Sequence, residues 1–248
     1  MPLALATAAT LIFTVILTIA GVGAAFVLIP TFIALGVDVH TAMATALLLN
    51  AIAMTFATVR FVRRRLVDWG VAIPLVLVAS ALSPLGARVS VGLDRELLLW
   101  LFIAFLVFAA LMMLFYRPTP RATRWSRRAL IGLGVAAGAV AGFVGGLLGV
   151  GGGNIIIPAL ILAGFDPKRA SATTSFVVIF SSLAGFLGHA TTGGLDAGLV
   201  ISTGLAAALG ATIGAWLMTE RLKSAQVKTL IGVVLLGIAV KMTLDLVL

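Results

Sequence analysis

Gly149-Val150-Gly151-Gly152-Gly153-Asn154-Ile155-Ile156-Ile157-Pro158 lies inside an uncharged run covering residues 129–165. Such a run is too long for one ordinary membrane helix, which needs about 20 residues, and short for two full ones. The glycine cluster near its middle makes continuous helix costly and permits left-handed or extended backbone. The expected product is a full helix, an irregular glycine turn, and a short helical leg of about a dozen residues holding Pro158. The same design occurs 128 residues earlier, where Gly21-Val22-Gly23 and Ile29-Pro30 break the uncharged run 2–37.

Extending that offset in both directions exposes a duplication. Gly36 falls on Gly164 and Asp38 on Asp166, while Ala42, Ala44 and Thr45 fall on Ala170, Ala172 and Thr173. With Ile33 on Ile161 this makes 11 identities over residues 21–45. Further on, Asp68 meets Asp196, Gly70 meets Gly198, and Gly86-Ala87 meets Gly214-Ala215, all without a gap. An alanine- and glycine-rich chain supplies some matches by chance, but not paired Pro and Asp at one fixed offset. Residues 1–118 and 129–248 therefore read as two transmembrane repeats. Segment 119–128 is the linker, kept in water by its arginines and denied helix by Pro118 and Pro120.

Composition agrees with an all-α polytopic membrane protein. Hydrophobic residues make up 62% of the 248 and charged residues 10%, against roughly 25% charged in soluble domains; mean hydropathy is +1.24. The net charge of +9 does not point to nucleic acid, because every basic cluster stands between apolar runs and reads as topology information. Cysteine is absent, which removes disulfides, thiolate metal sites and cysteine nucleophiles. The opening run has no basic n-region and continues past residue 20, so it reads as a retained helix rather than a cleaved signal.

Charge placement bears on how the repeats are oriented. If each opening run crosses once, the best orientation puts 10 of the 17 Lys/Arg inside and 7 outside. If each crosses out and back, giving five crossings per repeat, only Arg88, Arg95 and Lys241 lie outside and 14 lie inside. The cytoplasmic excess of Lys/Arg sets orientation. Inverted repeats with both termini extracytoplasmic are therefore expected, a recurring plan of secondary transporters that bind substrate where the repeats meet.

Candidate chemistry gathers at the glycine turns. A glycine turn entering a short helix offers free amides and the positive end of the helix dipole, which suits an anion without a buried cation. Gly21 and Gly23 in one repeat, and Gly151, Gly152, Gly153 and Asn154 in the other, are the candidate binding residues. They are joined by Thr45, Asn50, Thr173, Thr174 and Ser175 on the helices that follow the short legs. The competing role for these hydroxyls is a bond to the carbonyl one turn back. Gly138 and Gly142 read as packing glycines, and Asp38 and Asp166 as helix N-caps. His189 reads as an interfacial histidine, and Trp69, Trp100, Trp125 and Trp216 as interfacial anchors. No hydrolase, metalloprotease or phosphate-loop motif occurs, and no cofactor is implied.

The stretch Gly149–Pro158, with Gly164-Phe165-Asp166-Pro167, Ala170-Ser171-Ala172-Thr173-Thr174-Ser175, Gly188-His189 and Gly194-Leu195-Asp196, resembles the signature of the TauE/SafE family, also called toluene-sulfonate uptake permeases. The resemblance covers the whole chain and is strongest over 142–196; in the first repeat Ala24-Ala25-Phe26 replaces the glycine-rich core. It implies transport of sulfite, sulfoacetate, other sulfonates or related small anions, often outward, across a bacterial inner membrane. Expected partners are the small anionic substrate and the lipid bilayer, with a homo-oligomer open and no nucleic acid. A non-transporting assembly or scaffold protein is the alternative, and an intramembrane enzyme the remotest one.

Overall fold

The computed structural model describes residues 3–21, 23–115, 126–189 and 195–247. Most of the linker and Trp125, as well as Val22 and Gly194, lie outside these residues. The described chain is helical throughout and contains no strand. The first repeat supplies α1 (Leu3–Ala20), α2 (Ala25–Ala34), α3 (Val39–Arg63), α4 (Trp69–Val91) and α5 (Arg95–Phe115). The second supplies α6 (Arg127–Leu147), α7 (Gly153–Leu162), α8 (Pro167–His189), α9 (Ala197–Glu220) and α10 (Ser224–Val247).

Five helices, α3, α4, α6, α8 and α9, are long and apolar enough to cross a membrane. Each ten-residue leg, α2 and α7, covers about 15 Å, or half of a hydrocarbon layer about 30 Å thick. Both legs follow a glycine turn, as the run lengths imply. Helix starts are fixed locally. The carboxylate of Asp38 accepts the amides of His40 and Thr41, and that of Asp166 accepts those of Lys168 and Arg169. Asp68 and Asp196 cap α4 and α9 in the same way. Ser126 caps α6, so Arg127 and Arg128, placed at the end of the linker by sequence, already belong to that helix.

Packing interlocks the two repeats. Helix α6 lies on α4 through a glycine stripe, with Gly134 on Pro74, Gly138 on Leu75, Gly142 on Ala79 and Gly146 on Ser83. Residue numbers rise together, so the two helices run parallel, and small residues let their backbones approach. Helix α1 lies on α9 with the glycines moved to the partner: Gly210 meets Leu11 and Thr14, and Gly214 meets Val15 and Thr18. Helices α3 and α8 cross at the centre in opposite directions, Leu47 facing Gly185 while Asn50 faces Ser182.

Contacts on one side of the molecule reappear on the other with the repeats exchanged. Gly21 abuts Ser171, and Gly149 abuts Met43; Gly86 abuts Phe143, and Gly214 abuts Val15. In each case adding or subtracting 128 converts one pair into the other. The outward faces are apolar: Leu77, Leu187, Ile201, Leu205 and Leu209 are each more than 60% exposed. That is the arrangement a lipid solvent rewards. Trp69, Trp100 and Trp216 are also exposed, at or near helix ends.

Candidate substrate site at the glycine turns

The two turns meet at one side chain. A Cβ on Gly23 would collide with the amide oxygen of Asn50, and a Cβ on Gly151 would collide with Ser182 Oγ and lie 3.0 Å from Asn50 Nδ2. Both glycines adopt positive φ, +81° and +71°, so only glycine fits by backbone and by space. Asn50 stands midway along α3, fully buried, and donates from Nδ2 to Ser182 Oγ at 3.0 Å. Ser181 donates to the carbonyl of Gly151 at 2.8 Å, and Ser83 donates to the carbonyl of Ser181 at 2.8 Å. Ser175 donates to Ser171 O at 2.9 Å and reaches Gly21 O at 3.4 Å.

Asn50 Oδ1, between the turns, has no protein partner; the same holds for both amide atoms of Asn154 and the hydroxyls of Thr45 and Thr174, and for Thr14, Thr18, Thr58 and Ser80 on other stretches of the helices. Asn50, Asn154, Thr45 and Thr174 are each at most 3% exposed. A buried polar atom left unpaired costs about 1–3 kcal/mol, so Asn50 Oδ1, against both glycine turns, marks a place for a ligand or for water. Among the described residues, the amides of Gly152, Gly153 and Asn154 at the head of α7 also lack an acceptor, whereas Ile155 and Ile156 bond back to Gly152 O. These are the orphan donors of a helix N-terminus.

The remaining candidates have other surroundings. Thr173 Oγ1 accepts the amide of Asp68 at 3.0 Å, tying α8 to the foot of α4. Gly152 backs onto the carbonyl of Ala141 in α6, a packing contact that lets the turn fold against its own helix. Gly138 and Gly142 are packing glycines, as expected. His189, the last residue of α8, is buried within the protein: its Nε2 lies 3.0 Å from the carbonyl of Gly146, and its ring centroid is 6.2 Å from that of His40. Ser181 and Ser182 are the residues that sequence reasoning undervalued. The available signal was a pair of adjacent hydroxyls in an apolar run.

Similarity to known proteins agrees with this architecture. The family model described as "Sulfite exporter TauE/SafE" matches residues 6–242. The chain belongs to the TauE/SafE family. Among curated proteins it is similar to the "Probable membrane transporter protein YunE" of Bacillus subtilis (strain 168), 26% identical over 200 residues, covering 70% of this chain and 72% of that protein. The "Probable membrane transporter protein MJ0441" of Methanocaldococcus jannaschii is 27% identical over 178 residues, 69% of this chain and 66% of that one. A shorter match, 54% identical over 43 residues, links 17% of the chain to 10% of "Sulfite exporter TauE/SafE family protein 6" of Arabidopsis thaliana. No solved structure matches the chain. The protein is thus a multi-pass helical membrane protein of a transporter family.

Proposed function

We propose that this TauE/SafE protein is a secondary transporter or facilitator of small organic or sulfur-containing anions, such as sulfite, sulfoacetate or other sulfonates. The acidic group rests on the two glycine turns. The observation that carries this proposal is that both glycine turns abut the buried amide of Asn50, whose Oδ1 has no protein partner. The groups around the turns are neutral dipoles, and among the described residues no Lys, Arg, Asp or Glu is buried. Amides and hydroxyls hold an anion weakly enough for release on the far side.

The opposed run of α3 and α8, which are related by the 128-residue offset, supports inverted repeats. The 14-to-3 charge split supports extracytoplasmic termini in a bacterial inner membrane. With the cell interior negative, an exiting monovalent anion gains about 2.3 kcal/mol per 100 mV, so export needs no coupled ion. Flux in proteoliposomes with a panel of sulfite, sulfoacetate, taurine, thiosulfate and simple carboxylates tests the proposal. At least one is expected to cross. Folded protein that moves none of them would favour an assembly or scaffold role.

A further inference from the structure

Resting on the assignment of the glycine turns as the anion site, we propose that His189 is a positioning residue that holds the second turn in its binding shape. That turn stands on the last residues of α6, where backbone packs on backbone. The Gly145 carbonyl accepts the amides of Val150 and Gly151 at 2.8 and 3.2 Å, and the Gly146 carbonyl accepts that of Gly149 at 3.3 Å. A Cβ on Gly145 would collide with the backbone of Gly152, so the turn folds directly onto its own helix. Glycines at 145, 146, 149, 151, 152 and 153 have no side chains with which to brace this shape. Bracing comes from α8 instead, with Ser181 on the Gly151 carbonyl and His189 on that of Gly146.

His189 ends α8, and its Nε2 lies 3.0 Å from the Gly146 carbonyl oxygen. A carbonyl only accepts, so Nε2 carries the hydrogen. The carbonyls that end a helix need partners from outside it, and Gly146 is buried. Its oxygen takes two donors: the Gly149 amide that opens the turn, and the imidazole reaching across from another helix. The His189 ring is itself enclosed, with the His40 ring in the first turn of α3 6.2 Å away, so the donor is fixed in direction. The 128-residue offset puts Ala53 and Phe61 of α3 where Ser181 and His189 stand in α8. Neither side chain has a donor, so the first turn receives no such brace from α3.

Three substitutions separate the donor from the ring. Gln offers an N–H at a similar reach but takes no proton at neutral pH, Asn is too short to reach the carbonyl, and Leu has no donor. Wild type, His189→Gln, His189→Asn and His189→Leu are compared in proteoliposomes at one fixed pH on sulfite, sulfoacetate, taurine, thiosulfate and simple carboxylates. Thermal unfolding of the solubilised proteins is measured alongside. His189→Gln should keep the wild-type half-saturation within about twofold. His189→Asn and His189→Leu should raise it about fivefold, the effect of one lost hydrogen bond, with a smaller change in maximal rate per folded molecule. Where one of these two does not fold, the other decides. Unchanged half-saturation in both, or failure of both to fold, makes the bond purely structural and overturns the proposal. Impairment of His189→Gln equal to that of His189→Leu also overturns it, because the imidazole then acts through its proton or charge. In each of these cases wild-type flux leaves the anion site standing. Wild type that neither binds nor moves any of the panel overturns the anion site and this role with it.

Discussion

Asn50 donates its Nδ2 hydrogen to Ser182 Oγ across 3.0 Å, and this one bond joins the middle of α3 to α8 in the space between the two glycine turns. The bond is buried, so removing either partner strands the other. Asn50→Ala and Ser182→Ala should each lower stability by about 1–3 kcal/mol. The double variant should lose less than the sum, because the residues share one interaction. Thermal unfolding in detergent measures this. Additive losses would show that the bond contributes nothing to holding the two helices.

Gly151 and Gly36 both have positive φ, +71° and +87°, but only Gly151 is enclosed: nothing lies within 4 Å of a Cβ built on Gly36. Gly36→Ala should therefore cost only backbone strain, about 1 kcal/mol, and leave flux near normal. Gly151→Ala meets Ser182 and Asn50 as well, and should abolish flux. Expression, thermal unfolding and proteoliposome flux distinguish the two. Equal behaviour would mean that the crowding around Gly151 is irrelevant to transport.

Thr45 and Thr173 occupy matching positions in the repeats, yet their hydroxyls differ. Thr173 accepts the Asp68 amide, while Thr45 has no partner. Thr173→Val should lower stability by about 1–2 kcal/mol. Thr45→Val should instead weaken anion binding severalfold with little loss of stability. Affinity and melting temperature measured side by side decide between these assignments; the reverse pattern would exchange the two roles.

Arg60 of α3 and Arg64, the residue capping its end, both pair with Glu220 at the end of α9, with side chains 31–55% exposed. Ion pairs this exposed contribute about 0–1 kcal/mol. Glu220→Gln should therefore destabilise by less than about 1 kcal/mol, with an effect that fades in high salt. Arg64→Gln should alter insertion or expression while leaving substrate affinity unchanged. A large affinity loss in Arg64→Gln would place a cation in the binding path, contrary to a site built from neutral dipoles.

Extracytoplasmic termini follow from the charge split, and the cysteine-free sequence makes them simple to test. Single cysteines introduced near residues 2 and 247 should both react with an impermeant thiol reagent added to intact cells. Protection of either one would refute inverted repeats with both termini extracytoplasmic.

The sequence alone determined the membrane class and the broken opening runs, because each is written in a short window, and it carries the 128-residue offset on which the expectation of two repeats rests. Hydropathy over 20 residues decides whether a helix prefers lipid. Clustered glycines at Gly149–Gly153 decide where it breaks, and the caps at Asp38 and Asp166 bond amides only two and three residues ahead. Tertiary structure decided the partners. Nothing near Asn50 in sequence indicates that both Gly23 and Gly151 abut its amide, since those contacts join residues 27 and 101 positions away. Nor does sequence separate Thr45 from Thr173, identical residues at equivalent positions: one hydroxyl is left without a partner and the other accepts the Asp68 amide at the foot of α4. Sequence also does not show that the ring of His189, at the end of α8, is buried against the Gly146 carbonyl of another helix. A polar group in an apolar helix must find its hydrogen bond somewhere, and only the packing of helices distant in sequence settles whether a partner or a vacancy meets it.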